Sequence, residues 1–272
     1  MAKQPIRPTA MEGSSDDDVP LQPSSKPAKS APKSDDDGTR PFRPFARPPI
    51  ASLLIADDDG RHGETIRLRT AITTIGRTDA DILVPHDDQI SGRHAAITRS
   101  DVDGSWIWEV QDLNSRNGLF VRCGNIRLRN NSELLMGLRR YRFELPQSAA
   151  SSESDSVPGM PAGTRGWEKV PQGSLRNLVP CLVAVDGDDI DTSYPLERTE
   201  HRIGRDARQA EIVIDDPVLS PLHVVISKLS DGTWQLSDAG SRNGVWLRVQ
   251  KTSVTNKCDF QLGEQRFQLK LQ

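Results

Sequence analysis

An excess of positive charge is the first thing this 272-residue sequence lacks. Its 35 Lys+Arg are outnumbered by 38 Asp+Glu, a formal net charge of -3, so the field that draws proteins to long polyanions or anionic bilayers is missing. No region compensates: the balance is +1 over residues 1–47, -1 over 48–147, 0 over 148–177 and -3 over 178–272. Nucleic acid and membranes are thereby set aside as partners. Cysteine is scarce as well. Cys123, Cys181 and Cys258 stand singly, which excludes a disulfide framework and a CxxC zinc or redox site and fits a reducing compartment. Long apolar runs are absent too, none approaching the roughly 18 residues that cross a bilayer, and MAKQPIRPTAMEGSSDDD has no apolar stretch after its basic residues. The expectation is a soluble cytoplasmic protein.

What is present falls into four segments. Ten of the 19 prolines precede residue 50, among Ser-rich stretches and the runs Asp16–Asp18 and Asp35–Asp37; such a composition buries too little apolar surface to offset its ordering entropy. Residues 1–47 are therefore expected to be a disordered arm. Residues 148–177, within QSAASSESDSVPGMPAGTRG and just beyond it, are expected to be a flexible linker for the same reason. Between and after these lie short apolar or alternating runs bounded by Gly, Asp, Asn and Pro. In residues 48–147 they are SLLIA, TIRLR, ITTIG, DILV, HAAITRS, WIWEVQ, LFVR, SELLM and RYRFEL. Runs of this length and spacing predict an all-β sandwich or barrel, with hairpins at Asp59-Gly60, Asp103-Gly104 and Asn117-Gly118.

The sequence also repeats itself. Ile75-Gly76-Arg77, Ser91-Gly92-Arg93-His94 and Asn114-Ser115-Arg116-Asn117-Gly118 recur as Ile203-Gly204-Arg205, Ser220-Pro221-Leu222-His223 and Gly240-Ser241-Arg242-Asn243-Gly244. Arg77 to Asn117 spans 40 positions and Arg205 to Asn243 spans 38, so two copies of one β domain account for most of the chain. Each copy offers a guanidinium, a hydroxyl and a carboxamide at loops or strand ends, where a rigid scaffold presents recognition groups. Together they suit a tetrahedral dianion attached to a peptide. Arg forks onto phosphate oxygens, Ser donates once more, and Asn both donates to and accepts from a peptide backbone.

At these motifs both copies resemble forkhead-associated (FHA) domains, whose pattern is Gly-Arg, then Ser-x-x-His, then Ser/Thr-x-Asn-Gly. The resemblance covers residues 48–147 and 178–272 and implies two tandem FHA-type β-sandwiches of about eleven short strands each, the second weaker or degenerate. It implies that Arg77 and Ser91 hold a phosphothreonine phosphate while Asn117 bonds the peptide main chain, with Arg205, Ser220 and Asn243 in the matching positions. Arg93, Arg116 and Arg242 are further candidate contacts to the peptide. His94 and His223 are expected to be buried struts, and Gly76, Gly118, Gly204 and Gly244 structural. The copies depart from the pattern after the motif serine: Gly92 keeps an N–H there, whereas Pro221 has none to donate.

The function these readings imply is that of a non-catalytic adaptor for phosphothreonine-containing proteins in Ser/Thr-kinase signalling, with no cofactor and no metal. The alternative is a phosphate-independent scaffold or oligomerisation protein built from the same sandwiches. Ser91 with His94 invites a hydrolase reading, but that needs an orienting carboxylate and an oxyanion hole, and no G-x-S-x-G elbow or comparable frame surrounds either copy. Asp57-Asp58-Asp59-Gly60 lacks the ligand spacing of an EF-hand. The flexible linker suggests an avidity device for doubly phosphorylated or dimeric partners. Thr9 or Thr39, if phosphorylated, would make the arm an internal ligand, and Phe42, Arg43, Phe45 and Arg47 either meet a partner or lead into the first strand.

Overall fold

The computed structural model describes residues 48–57, 62–146, 178–186 and 191–272. The arm over 1–47 with Thr9 and Thr39, the linker over 148–177 and the turn at 59–60 lie outside the described residues. Every element of the described chain is a strand: β1 (Ala51–Ala56), β2 (Gly63–Leu68), β3 (Ile72–Gly76), β4 (Ile82–Leu83), β5 (Ala95–Val102), β6 (Ser105–Asp112), β7 (Leu119–Cys123), β8 (Asn125–Leu128), β9 (Ser132–Met136), β10 (Arg139–Glu144), β11 (Cys181–Ala184), β12 (Ser193–Pro195), β13 (Glu200–Gly204), β14 (Ile212–Val213), β15 (Val224–Lys228), β16 (Trp234–Asp238), β17 (Val245–Val249), β18 (Lys251–Val254), β19 (Lys257–Leu262) and β20 (Gln265–Leu271). Period-two patterning produces them. In β6, Trp108, Val110 and Asp112 are buried while the intervening residues are partly exposed, as a pleated strand with one face on a core requires. All nine runs read from the first block form strands, and NIRL adds β8, too short and too polar to announce itself. The Asp103-Gly104 turn between β5 and β6 has φ of 52° and 79°, the left-handed pair that a two-residue hairpin favours.

The strands form one ten-stranded sheet, β12-β11-β10-β9-β17-β7-β19-β20-β1-β2, and two five-stranded sheets, β14-β13-β15-β16-β8 and β18-β6-β5-β3-β4. This order shows that the two copies exchange strands. β19 and β20, from the end of the chain, pair with β7 and β1 of the first copy, and β18 pairs with β6. Reciprocally, β8 pairs with β16, β9 with β17 and β10 with β11 of the second.

The cores record the same exchange. Val254, Cys258, Phe260, Leu262, Phe267 and Leu269 pack among Leu53, Ile75, Ile97 and Val110, while Ile126, Leu128, Leu134, Met136, Tyr141 and Phe143 pack among Ile203, Val224, Ile226 and Leu236. Each sandwich therefore contains ten described strands, against the eleven expected, and three of the ten come from the other copy. The division at 48–147 and 178–272 delimits the sequence repeat, whereas the packing units cross it, and the described residues fall in one compact unit.

The connections explain the crossing. Only Gly124 separates β7 from β8, and only Gln250 separates β17 from β18; the tightest common hairpin needs two loop residues, so neither chain can fold back beside the strand it has just left. Both run on into the neighbouring sandwich. There Gly124 O accepts the Asp238 N–H at 2.8 Å and Gln250 O accepts the Asp112 N–H at 2.9 Å. Between the crossings β7 lies antiparallel to β17, with Val121 opposite Leu247 at the midpoint of the register from Leu119↔Val249 to Cys123↔Val245. Corresponding positions of the two copies thus face each other about an approximate two-fold axis.

Candidate functional site

In the first copy, the end of β3, the β4–β5 loop and the β6–β7 turn converge. Arg77 N–H donates to Ser91 O at 3.0 Å, and Asp79 N–H donates to Gly92 O at 3.0 Å. This approach demands glycine at position 76, where a Cβ would lie 2.1 Å from Gly92 O. The Ser91 Oγ accepts the Arg116 N–H at 3.1 Å, which orients the hydroxyl and leaves its hydrogen available to donate. Arg77 Nε is buried with no hydrogen-bond partner. Asn117 Nδ2 donates to both Gln89 O and Gln89 Oε1 at 2.8 Å, leaving its carbonyl oxygen as the acceptor. Arg93 and Arg116 are exposed.

His94 ties these loops together. It is fully buried; Nδ1 accepts the Ser91 N–H at 3.1 Å, so Nε2 carries the proton and donates to Gly118 O at 3.1 Å. Burial disfavours the imidazolium and holds the pKa of His94 below the ordinary 6.5, against the pull of the Gly118 carbonyl and of Asp112 and Asp87. Both ring nitrogens are committed to the backbone, so His94 is not poised as a base for Ser91, and the hydrolase reading has no geometry behind it.

The second copy repeats most of the arrangement. Arg205 N–H donates to Ser220 O at 3.1 Å, Ser220 Oγ accepts the Arg242 N–H at 3.1 Å, and a Cβ on Gly204 would lie 2.2 Å from Pro221 O. His223, fully buried, accepts the Ser220 N–H at 3.1 Å and bonds Gly244 O at 3.2 Å; burial lowers its pKa too. The differences lie in the ligand-facing groups. Asn243 Nδ2 has only Val218 O, at 2.9 Å, because Val218 stands where Gln89 supplies a side-chain acceptor. Arg205 is exposed, as is Arg242, and Pro221 offers no N–H. The structure thus brings together Arg77, Ser91, Arg116 and Asn117 in one loop cluster and Arg205, Ser220, Arg242 and Asn243 in another.

Several supporting residues escaped the sequence reading. Asp112 accepts from the Ser115 hydroxyl at 2.5 Å, and Ser115 Oγ accepts the Gly118 N–H at 3.0 Å; Asp238 and Ser241 do the same for the second turn, through the Ser241 N–H at 2.8 Å and the Gly244 N–H at 3.1 Å. Asp87, buried in the β4–β5 loop, accepts the Glu264 N–H at 2.8 Å from the exchanged β19–β20 turn, and Asp216 accepts the Leu138 N–H at 2.8 Å from the β9–β10 turn. Each recognition loop is therefore braced by a hairpin from the other copy. Aligning the repeats at their serines and at their Asn-Gly turns would have picked out both aspartate pairs. Among the described residues, no His, Cys, Asp and Glu side chains gather as a metal set, and the three cysteines form no disulfide.

Comparison with known proteins follows the first site. Residues 73–137 match the FHA domain family, a span holding Arg77, Ser91, His94 and Asn117. This part of the chain is similar to FHA domains. Residues 184–272 match a different family, the cytoplasmic domain of an inner membrane component of T3SS, so the comparisons assign one FHA domain where the motifs suggested two. No curated protein matches the sequence. Similar solved structures include an FHA domain from a structural and functional analysis of phosphothreonine-dependent FHA domain interactions, 38% identical over 26% of this chain and 68% of that one, with a TM-score of 0.21. Full-length yeast Pml1p is 25% identical over 31% of this chain and 69% of that one, TM-score 0.25. Mycobacterium tuberculosis EmbR in complex with a low affinity phosphopeptide is 28% identical over 35% of this chain and 24% of that one, TM-score 0.23. No helix among the described residues is long and apolar enough to cross a membrane.

Proposed function

We propose that the protein is a non-catalytic adaptor that binds phosphothreonine-containing proteins of Ser/Thr-kinase signalling, in the cytoplasm, through its FHA domain. The observation that carries this reading is the pair of prepared donors at one loop mouth: Ser91, its oxygen already fixed by Arg116, and Arg77, whose buried Nε lacks a partner. A phosphate with nearly two negative charges satisfies both at once. Asn117, anchored by Gln89, then holds the peptide main chain, and Arg93 and Arg116 reach the residues beside the phosphothreonine. Arg205, Ser220, Arg242 and Asn243 form a second, weaker phosphopeptide site on the same plan, making the chain a tandem of FHA-type sandwiches. The missing donor at Pro221 and the exposed Arg205 account for its lower affinity.

Isothermal titration with a phosphothreonine peptide tests the reading. Arg77→Ala and Ser91→Ala are each expected to weaken binding by roughly 1.5 to 3 kcal/mol, the range for a hydrogen bond to a charged group. Undiminished binding in both variants would refute the assignment and favour the phosphate-independent scaffold.

A further inference from the structure

Both asparagine turns open onto one cleft. A cavity of about 930 Å³ is lined from the first site by Gln89 and Asn117 and from the second by Val218 and Asn243. Its floor includes Phe120 and Leu135, which alternate along their strands with the core residues Leu119 and Leu134 and so mark the outer face of the ten-stranded sheet. Corresponding residues of the two copies line it in pairs, Gly137 with Gly263 and Arg140 with Arg266. The cleft therefore shares the approximate two-fold axis of the β7–β17 ladder.

We infer that the two sites and the cleft between them form one bivalent surface for a two-fold symmetric dimer that presents a phosphothreonine segment from each subunit. The inference rests on the phosphothreonine reading of the sites. Direction decides the class of partner. Asn117 and Asn243 sit at the starts of antiparallel strands, so equivalent contacts to peptides lying along the sheet require the two bound peptides to run in opposite directions. A single extended segment with two phosphothreonines offers one direction only and satisfies one turn. A symmetric dimer offers both.

Spacing is fixed by the same ladder. Continuing the register beyond Cys123↔Val245 sets Asn243 opposite position 125, eight residues from Asn117, or about 27 Å at about 3.4 Å per residue. The exchanged strands hold this separation. Glu264 and Leu138, on hairpins that pack in the sandwich of the other copy, donate to Asp87 and Asp216 in the two recognition loops. Two contacts at a fixed separation make the second binding step intramolecular, with an expected gain of about 100-fold or more.

The test uses the full chain and one phosphothreonine peptide selected on it from an oriented library. Calorimetry compares the monomeric peptide, its symmetric dimers joined through the N-termini or through the C-termini, and a linear peptide carrying the motif twice with its phosphothreonines eight to ten residues apart. One symmetric dimer is expected to bind with one dimer per chain and about 100-fold more tightly than the monomer, the linear form gaining only a few-fold; Arg205→Ala returns the dimer to the affinity of the monomer. Equal gains for linear and symmetric forms, or no gain for either dimer while the monomer binds, would overturn the inference and leave the phosphothreonine reading standing. No binding by the monomeric peptide would remove that reading and the inference together.

Discussion

Cutting the chain between its two repeats separates exchanged sandwiches from beads on a string. We expect a protease site placed within 148–177 to be cleaved without releasing two proteins. Each fragment leaves three strands in the sandwich of the other: Val254 to Leu269 in the first core, Ile126 to Phe143 in the second. Twelve buried apolar side chains are involved, nine of them no more than 3% exposed. At about 1.5 to 3 kcal/mol each, reduced by roughly 10 to 40% for the compactness of real unfolded chains, they contribute on the order of 20 kcal/mol. Association costs about 4 to 15 kcal/mol. The remainder, about 5 to 16 kcal/mol, corresponds to a dissociation constant of about 0.2 mM at the weakest and about picomolar at the tightest, before the β7–β17 ladder is added. Size-exclusion chromatography with native mass spectrometry after cleavage should show a single 1:1 complex that separates only in denaturant. Two independently folded fragments eluting apart, each with cooperative unfolding, would refute the exchange.

The crossings themselves can be lengthened. Inserting four to six flexible residues at both Gly124 and Gln250 gives each strand room to fold back, so the same cleavage should then yield separable domains by chromatography. Gly76→Ala sets a methyl against a backbone oxygen at 2.1 Å and is expected to lower stability by about 1 to 3 kcal/mol and to weaken phosphopeptide binding with it, both measured on the purified variant. Mild acid should destabilise the fold through its buried histidines. His94, His223 and His201 have pKa values held below the ordinary 6.5, burial being the main cause in each; the unfolded chain therefore takes up protons first, and stability present above about pH 6.5 falls as pH drops below it. Urea midpoints measured between pH 7.5 and 5.5 should fall, and a flat profile would contradict the buried neutral rings. The Cys258 thiol, pushed up to about 12 by burial first and by Asp259 next, should resist alkylation in the native protein at neutral pH, as peptide mapping by mass spectrometry would show.

Much of the architecture was legible because it is local. Alternation along SLLIA or WIWEVQ fixes which residues face a core, and Asp103-Gly104 fixes a hairpin, without reference to anything distant. The Arg-Ser-Asn constellation was legible for another reason: it recurs, and repetition at nearly constant spacing marks residues that a single occurrence would not. What stayed hidden is where each strand finds its partner. β8 was missed outright, since four residues of NIRL carry almost no periodicity. Gln89 escaped because its role as the second acceptor for Asn117 has no counterpart at Val218, and Asp87 and Asp216 because their partners lie 177 and 78 residues away.

By itself, then, the sequence determined an all-β chain with two copies of one anion-receptor motif, because side-chain periodicity and short-range turn chemistry are properties of neighbouring residues. It also held the hint of the exchange in the single residues Gly124 and Gln250, unreadable until β8 and β18 were known to be strands. Only the tertiary structure decided whose core those strands complete. Either sandwich offers β8 and β18 the same alternating apolar slots, so hydrophobic pattern alone cannot choose between them; the geometry of a one-residue connection can. That choice turns two tethered receptors into one body, with both recognition turns facing a common cleft about a two-fold axis.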